Sequence, residues 1–254
     1  MSRRGAPWAA VVSPVLLLLV WEWASASGVL REALFPRPTT VAATLARLVA
    51  DGTLASHTLT TLGRIAWAFA TAGVLGIAVG LAMGVWRRFS QGVDPVFAVI
   101  YPIPSVLFLP LVGFLVPAGE VAVVATTAVT SFFLVAYTTA HGVRQMDRLV
   151  MDAAVHFGAR GWRLFAGVLL PGALPFVFTG LRLGLGYALI VVIAVEIVGA
   201  TTGLGAFLWL SWQVLKVDDM YATFVVIAAL GAVLSYGLAA LRARLLPWIQ
   251  DVAQ

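Results

Sequence analysis

The chain has no cysteine and a single lysine, Lys216, among 254 residues, and only 11% of its side chains are charged. Without thiols there can be no disulfide, thiolate metal site or cysteine nucleophile, and the redox compartment stays open. So little charge excludes an ordinary soluble domain, which carries about 25% charged residues. The lone lysine excludes nucleotide hydrolysis by a phosphate-binding loop, which needs G-x-x-x-x-G-K-[ST]. Lys216 stands in Val214-Leu215-Lys216-Val217-Asp218, with no glycine loop before it and no Ser or Thr after it. The three histidines, His57, His141 and His156, lack ligand spacing. No cofactor or metal is expected, and no convergent nucleophile and base suggest a membrane-embedded enzyme.

What the chain does have is apolar length. It is 61% hydrophobic with a mean hydropathy of +1.00. A helix needs about 20 apolar residues to cross a bilayer core, so this chain accommodates six plus loops. Apolar runs predict helices over 8–24, 65–85, 93–115, 121–141, 175–198 and 221–241. The fold class is therefore an all-α polytopic membrane protein, in one domain over residues 1–254 without linker or repeat. Residues 1–30 hold the first helix. Ala24-Ser25-Ala26 has the small-x-small look of a signal-peptide cleavage site, but Trp21, Glu22 and Trp23 before it fit the interfacial belt of a retained helix.

The net charge of +5 does not indicate nucleic acid, because the arginines are scattered through loops beside apolar runs. They give orientation instead. With the N-terminus in the cytoplasm, ten basic residues fall inside (Arg3, Arg4, Arg87, Arg88, Arg144, Arg148, Arg160, Arg163, Arg242 and Arg244) and four outside (Arg31, Arg37, Arg47 and Lys216). Arg64 and Arg182 stand at helix edges. This asymmetry predicts both termini in the cytoplasm of a cell (inner) membrane protein. In the outside segment 31–62, Val41, Leu45, Leu48 and Val49 recur at helical spacing after Pro36 and Pro38. Such a helix either lies on the membrane surface or packs on the protein itself.

Between the fourth and fifth apolar runs comes a polar, punctuated segment: Asp152-Ala153-Ala154, Gly158, then Val168-Leu169-Leu170-Pro171. Asp152 can start a short helix whose unpaired N–H groups favour a carboxylate. Ala153 and Ala154 allow close backbone approach, and Gly158 allows a turn that a Cβ resists. Trp162, Leu164, Phe165 and Val168 offer an apolar face to pack beneath the bundle. Pro171 is expected to stop that helix and Pro175 to open the next. His156 could touch a partner or simply be a solvated loop residue.

This spacing resembles the E-A-A, three residues, G, nine residues, I-x-L-P signature of ABC importer membrane subunits, with Asp152 for Glu and Val168 for Ile. The likeness extends over residues 36–248. Pro102-Ile103-Pro104, Leu109-Pro110, Thr179-Gly180-Leu181-Arg182-Leu183-Gly184, Glu196-Ile197-Val198-Gly199-Ala200 and Gly203-Leu204-Gly205 look like the sulfonate/nitrate/taurine branch of binding-protein-dependent permeases. The resemblance implies a cytoplasmic coupling helix at Asp152–Pro171 that docks on ATPase subunits. It further implies a second permease chain, expected to be a copy of this one, and an extracytoplasmic solute-binding protein. The substrate it implies is a small solute such as a sulfonate, nitrate or taurine.

Path residues are expected where polarity or irregular backbone enters the apolar runs. Glu196 is costly in such a run unless it faces protein or water. It reads as a path wall or a gate-stabilising partner, or else as a hydrated group at the outer interface near Thr201 and Thr202. Pro102, Pro104 and Pro110, with Ser105 among them, free backbone carbonyls that only protein or a wet cavity can cover. A kinked pore-lining element inside the bundle is expected there. Gly76, Gly80 and Gly84, with Ala72, form a small-residue row for close helix contact, as do Gly180 and Gly184. The alternative to an ATP-driven importer is an ion-gradient-coupled secondary transporter. It would use Glu196 but leave the Asp152–Pro171 segment unexplained, and the inverted halves common in such transporters are not detectable.

Overall fold

A computed structural model describes residues 9–117 and 119–247, and among them there is no strand. The helices are α1 (Ala9–Ala26), α2 (Pro38–Ala50), α3 (Thr53–Val85), α4 (Arg87–Ile100), α5 (Phe108–Leu115), α6 (Glu120–Arg144), α7 (Arg148–His156), a short α8 (Trp162–Leu164), α9 (Leu170–Gly199), α10 (Leu204–Gln213) and α11 (Val217–Leu245). Among the described residues four helices are long and apolar enough to cross a membrane, and a fifth crossing is made if α4 and the Ser105–Leu115 segment count together. The described apolar part of α1, Val12–Ala26, is shorter.

Small residues build the centre. α6 lies between α3 and α9 and buries Ala122, Thr126, Thr127, Ser131, Ala136, Thr139, Ala140 and Gly142 among its contacts. Gly76, Gly80 and Gly84 of α3 face Val135, Ala136 and Val143 of α6, while Gly180 and Gly184 of α9 meet α6 at Val135. Both predicted glycine rows therefore serve packing within one chain. At Gly80 an added Cβ would lie 2.5 Å from the Ala136 carbonyl oxygen, so the two backbones nearly touch there. Close backbone approach of this kind is how membrane helices gain contact without a hydrophobic driving force.

Two elements depart from the sequence expectation. The expected helix over 93–115 is broken: α4 and the segment Ser105–Leu115 are bent by 95°. Pro102 and Pro104 cause this, since neither can donate a helical hydrogen bond and each disfavours helical geometry in the residue before it. Conversely, Pro171 does not stop a helix. Trp162–Gly199 runs on as one 38-residue apolar helix. A π-helical turn over Phe165–Leu169 immediately precedes α9, widening the backbone where the Pro171 ring would otherwise meet the preceding turn.

The segment read as an amphipathic surface helix is α2, and it packs on the protein through buried Val41, Thr44 and Leu48. Arg47 of α2 pairs with Asp219 of α11 at 2.7 Å. Glu22 of α1 accepts hydrogen bonds from the Thr39 amide (3.1 Å) and hydroxyl (2.9 Å), placing a carboxylate at the positive end of α2. In the α2–α3 turn, Asp51 accepts from the Thr53 amide at 2.9 Å, which holds its carboxyl below the usual carboxylate range.

Candidate functional site

The segment carrying Asp152, Ala153, Ala154, His156 and Gly158 folds as an exposed knob at one end of the bundle. α7 is started by Asp147, whose side chain accepts from the Leu149 amide at 2.9 Å. The capping role expected of Asp152 belongs to Asp147, because α7 begins one turn earlier than the polar motif suggests. Asp152 lies mid-helix, and its carbonyl is 2.8 Å from His156 Nδ1. Gly158 ends α7 at φ +88°, with Ala159 N–H bonding to Ala154 O at 2.9 Å and Gly158 N–H to Val155 O at 3.0 Å. That pair of bonds is a Schellman cap, which calls for glycine at this position.

The knob leaves apolar surface open. Phe157 is 93% exposed and Trp162 75%, with Leu149, Val150 and Val155 also exposed. Trp162 does not pack beneath the bundle as the sequence suggested; it stacks on Phe165 with ring centroids 5.3 Å apart. Contact with the bundle comes instead from Met151 and Phe165, which pack on Val143, Leu169 and Ala173. Exposed apolar side chains on a short polar-flanked helix mark an interaction surface. Pro171 sits beyond the knob, inside the long helix.

A second polar cluster lies about 37 Å along the same helix from Pro171, at Glu196. Glu196 is 0% exposed. Its Oε1 accepts from Arg64 Nη1 at 2.7 Å and Thr61 Oγ1 at 2.9 Å, and its Oε2 accepts from the Gly205 amide at 2.8 Å. Arg64 commits every N–H donor. Nη1 also donates to Thr202 O (2.7 Å), Nη2 to Thr202 Oγ1 (3.0 Å) and Glu120 Oε1, and Nε to Glu120 Oε2 (2.7 Å). A guanidinium offers five donors, and here all five are used.

The chain turn after α9 is built around this cluster. The amides of Gly203, Leu204 and Gly205, at the start of α10, donate to His57 Nδ1 (3.1 Å), Thr61 Oγ1 (2.8 Å) and Glu196 respectively. The Gly205 amide and the positive end of α10 thus face the buried carboxylate. Gly203 has φ +104°, and a Cβ there would come within 2.3 Å of Glu196 Oε1. Burying an ion pair this deeply is tolerable because both carboxylate oxygens accept hydrogen bonds and every guanidinium proton is donated. The cluster ties α3, α6, α9 and α10 together.

Sequence reasoning singled out Glu196 but placed Arg64 at a helix edge. The missing signal was pairing: Thr61 and Arg64 are three residues apart, hence on one face of α3. An acid in one apolar helix demands a base in another. The remaining path candidates stand apart from Glu196. Pro102 and Pro104 are exposed at the α4–α5 bend, and Ser105 is half-buried beside them in a cleft with Tyr101, Phe108 and Tyr187. This segment lies on the surface of the single chain, not inside its bundle. Among the described residues no group of three His, Cys, Asp or Glu could hold a metal ion.

Residues 72–251 match the binding-protein-dependent transport system inner membrane component family. The chain belongs to that family. It is a multi-pass inner membrane permease component, and its relatives agree on this. The permease is 35% identical over 243 residues to the taurine transport system permease protein TauC of Escherichia coli (strain K12), covering 93% of this chain and 88% of TauC. It is 30% identical to the putative aliphatic sulfonates transport permease protein SsuC of the same organism, covering 90% and 86%. Against the bicarbonate transport system permease protein CmpB of Synechocystis sp. (strain ATCC 27184 / PCC 6803 / Kazusa) identity is 26%, with 97% and 91% covered. The fold is shared with inward-facing conformations of the MetNI methionine ABC transporter, at a TM-score of 0.66 and 19% identity over 72% of this chain and 91% of that one.

Proposed function

We propose that this permease forms the translocation path of an ATP-driven importer for a small sulfonate, nitrate-like anion or amino sulfonate delivered by an external binding protein. One observation carries the reading: the α7–Gly158–Trp162 knob, capped into a defined shape, presents unpaired apolar side chains away from the bundle. A separate cytoplasmic ATPase is the partner such a knob fits, and Asp152, Ala153, Ala154, His156 and Gly158 are its contact residues. Pro171, in the long helix behind the knob, carries the displacement into α9. The same end of the bundle carries Arg87, Arg88, Arg144, Arg160 and Arg163, which supports a cytoplasmic placement with both termini inside.

Residues 1–254 act as one transmembrane domain of six spans, counting α1 and the bent α4–α5 pair. Two copies pair around one path, with Pro102, Pro104 and Ser105 facing it and Glu196 stabilising its outer gate. Glu196 is fully paired to Arg64, Thr61 and Gly205, which argues against its use as an ion-coupling carboxyl. The test is copurification and uptake with Gly158→Arg. Loss of ATPase association and of uptake is expected, since arginine resists φ +88° and adds bulk to the docking face. Retained association and uptake would refute the coupling assignment.

A further inference from the structure

Apart from the clamp at Glu196 and the knob at Gly158, a polar cavity lies beside the bend in the α4–α5 segment. Between α4 and α6 a cavity of about 420 Å³ is walled by Asp94, Phe97, Tyr101, Tyr137, His141 and Arg144. Tyr101 also borders the cleft beside Ser105, so the cavity adjoins the bend assigned above to the path. Charged side chains on membrane-crossing helices must face water or protein, and this cavity supplies the water-accessible face.

The polar groups here are matched in sign and incompletely used. Arg144 bonds to Asp94 Oδ1 (3.3 Å), Asp94 Oδ2 (3.2 Å), Ser90 Oγ and Met83 O (3.5 Å), and every one of these bonds comes from Nη2. Nη1 and Nε make no hydrogen bond among the described residues. The two side chains remain 34% and 41% exposed. The tyrosines and the histidine add aromatic faces: the Tyr137 ring lies 4.3 Å from His141 and 6.4 Å from Tyr101.

A simple oxyanion entering this space would meet the Asp94 carboxylate, and a simple cation would meet the Arg144 guanidinium. A short zwitterion satisfies both, with its anionic end on the free guanidinium donors and its ammonium between Asp94 and the aromatic faces. We propose that this cavity is a transport-path site for a short amino sulfonate or comparable zwitterion. The proposal rests on the permease reading and narrows its substrate class.

The absence of cysteine gives a clean probe. Ala98, exposed and lining the cavity, is replaced by Ala98→Cys in the complete permease–ATPase complex in nanodiscs, and maleimide labelling is timed with taurine, ethanesulfonate or ethylammonium. Taurine at ten times its dissociation constant should slow labelling about tenfold, and the two single-charge analogues should have little effect. With Asp94→Asn added, ethanesulfonate should protect as well as taurine. Tyr137→Ala should weaken taurine protection without disturbing assembly. No protection by taurine, equal protection by all three compounds, or taurine selectivity that survives Asp94→Asn would each overturn the zwitterion site. Any of those results in a complex that retains its Gly158-dependent ATPase leaves the permease reading standing; failure of that ATPase to associate at all refutes the permease reading instead.

Discussion

Removing Glu196 alone should destabilise the permease more than removing Glu196 and Arg64 together. Glu196→Leu leaves a guanidinium that is 3% exposed with the exposed Glu120 as its remaining carboxylate partner, and deprives the Gly205 amide of its acceptor. Breaking a buried pair from one side costs about 3–5 kcal/mol, because the surviving charge stays in a low-dielectric site. Replacing both partners with apolar residues, in Arg64→Met/Glu196→Leu, removes that charge and leaves mainly the unpaired amide, at about 1–3 kcal/mol. Glu120, with a side chain 62% exposed, then returns to solvent at little cost. With about 3–5 kcal/mol for each one-sided loss and about 1–3 for the double replacement, the coupling energy across the cycle should be at least about 3 kcal/mol in magnitude, opposite in sign to the single effects. Denaturant unfolding of the four proteins in one detergent measures it directly. Additivity within about 0.5 kcal/mol would show that the cluster does not act as a unit, and the clamp argument would be wrong.

Three further outcomes are expected. Gly80→Ala should destabilise by about 1–3 kcal/mol, since its Cβ would overlap Ala136 O, whereas Gly63→Ala, with open space around it, should be neutral or stabilising by up to about 1 kcal/mol; thermal unfolding separates the two signs. Asp147→Ala should cost α7 about 1 kcal/mol of local stability, seen as faster amide exchange over 149–156 with the rest of the chain unchanged. Glu196→Ala should lower uptake while the ATPase still copurifies, and unchanged uptake would retire its gate role.

Much of this architecture could be read from the chain because hydropathy and small-residue spacing report directly on membrane helices. Gly76, Gly80, Gly84, Gly180 and Gly184 announced close contacts, and those contacts sit where α3 and α9 meet α6. The motif around Gly158 was legible for the same local reason: a left-handed turn needs glycine. What stayed hidden were effects that depend on distant residues. Pro171 looked like a stop because the π turn that accommodates it has no signature of its own. Arg64 looked peripheral because its five bonds go to residues between 56 and 138 positions away. The cap at Asp147 lay just upstream of the motif that drew attention to Asp152.

The smallness of the residues along α6 has a mechanical consequence. Alanine and glycine have no rotamers to change, and serine and threonine have few, so a shove at one end cannot be absorbed by side chains swinging aside. α6 runs about 36 Å from Arg144, near the knob, to Glu120, which holds Arg64. A displacement at the knob would therefore reach the Arg64–Glu196 clamp almost undiminished, with α3, α6 and α9 moving as a single stiff rod.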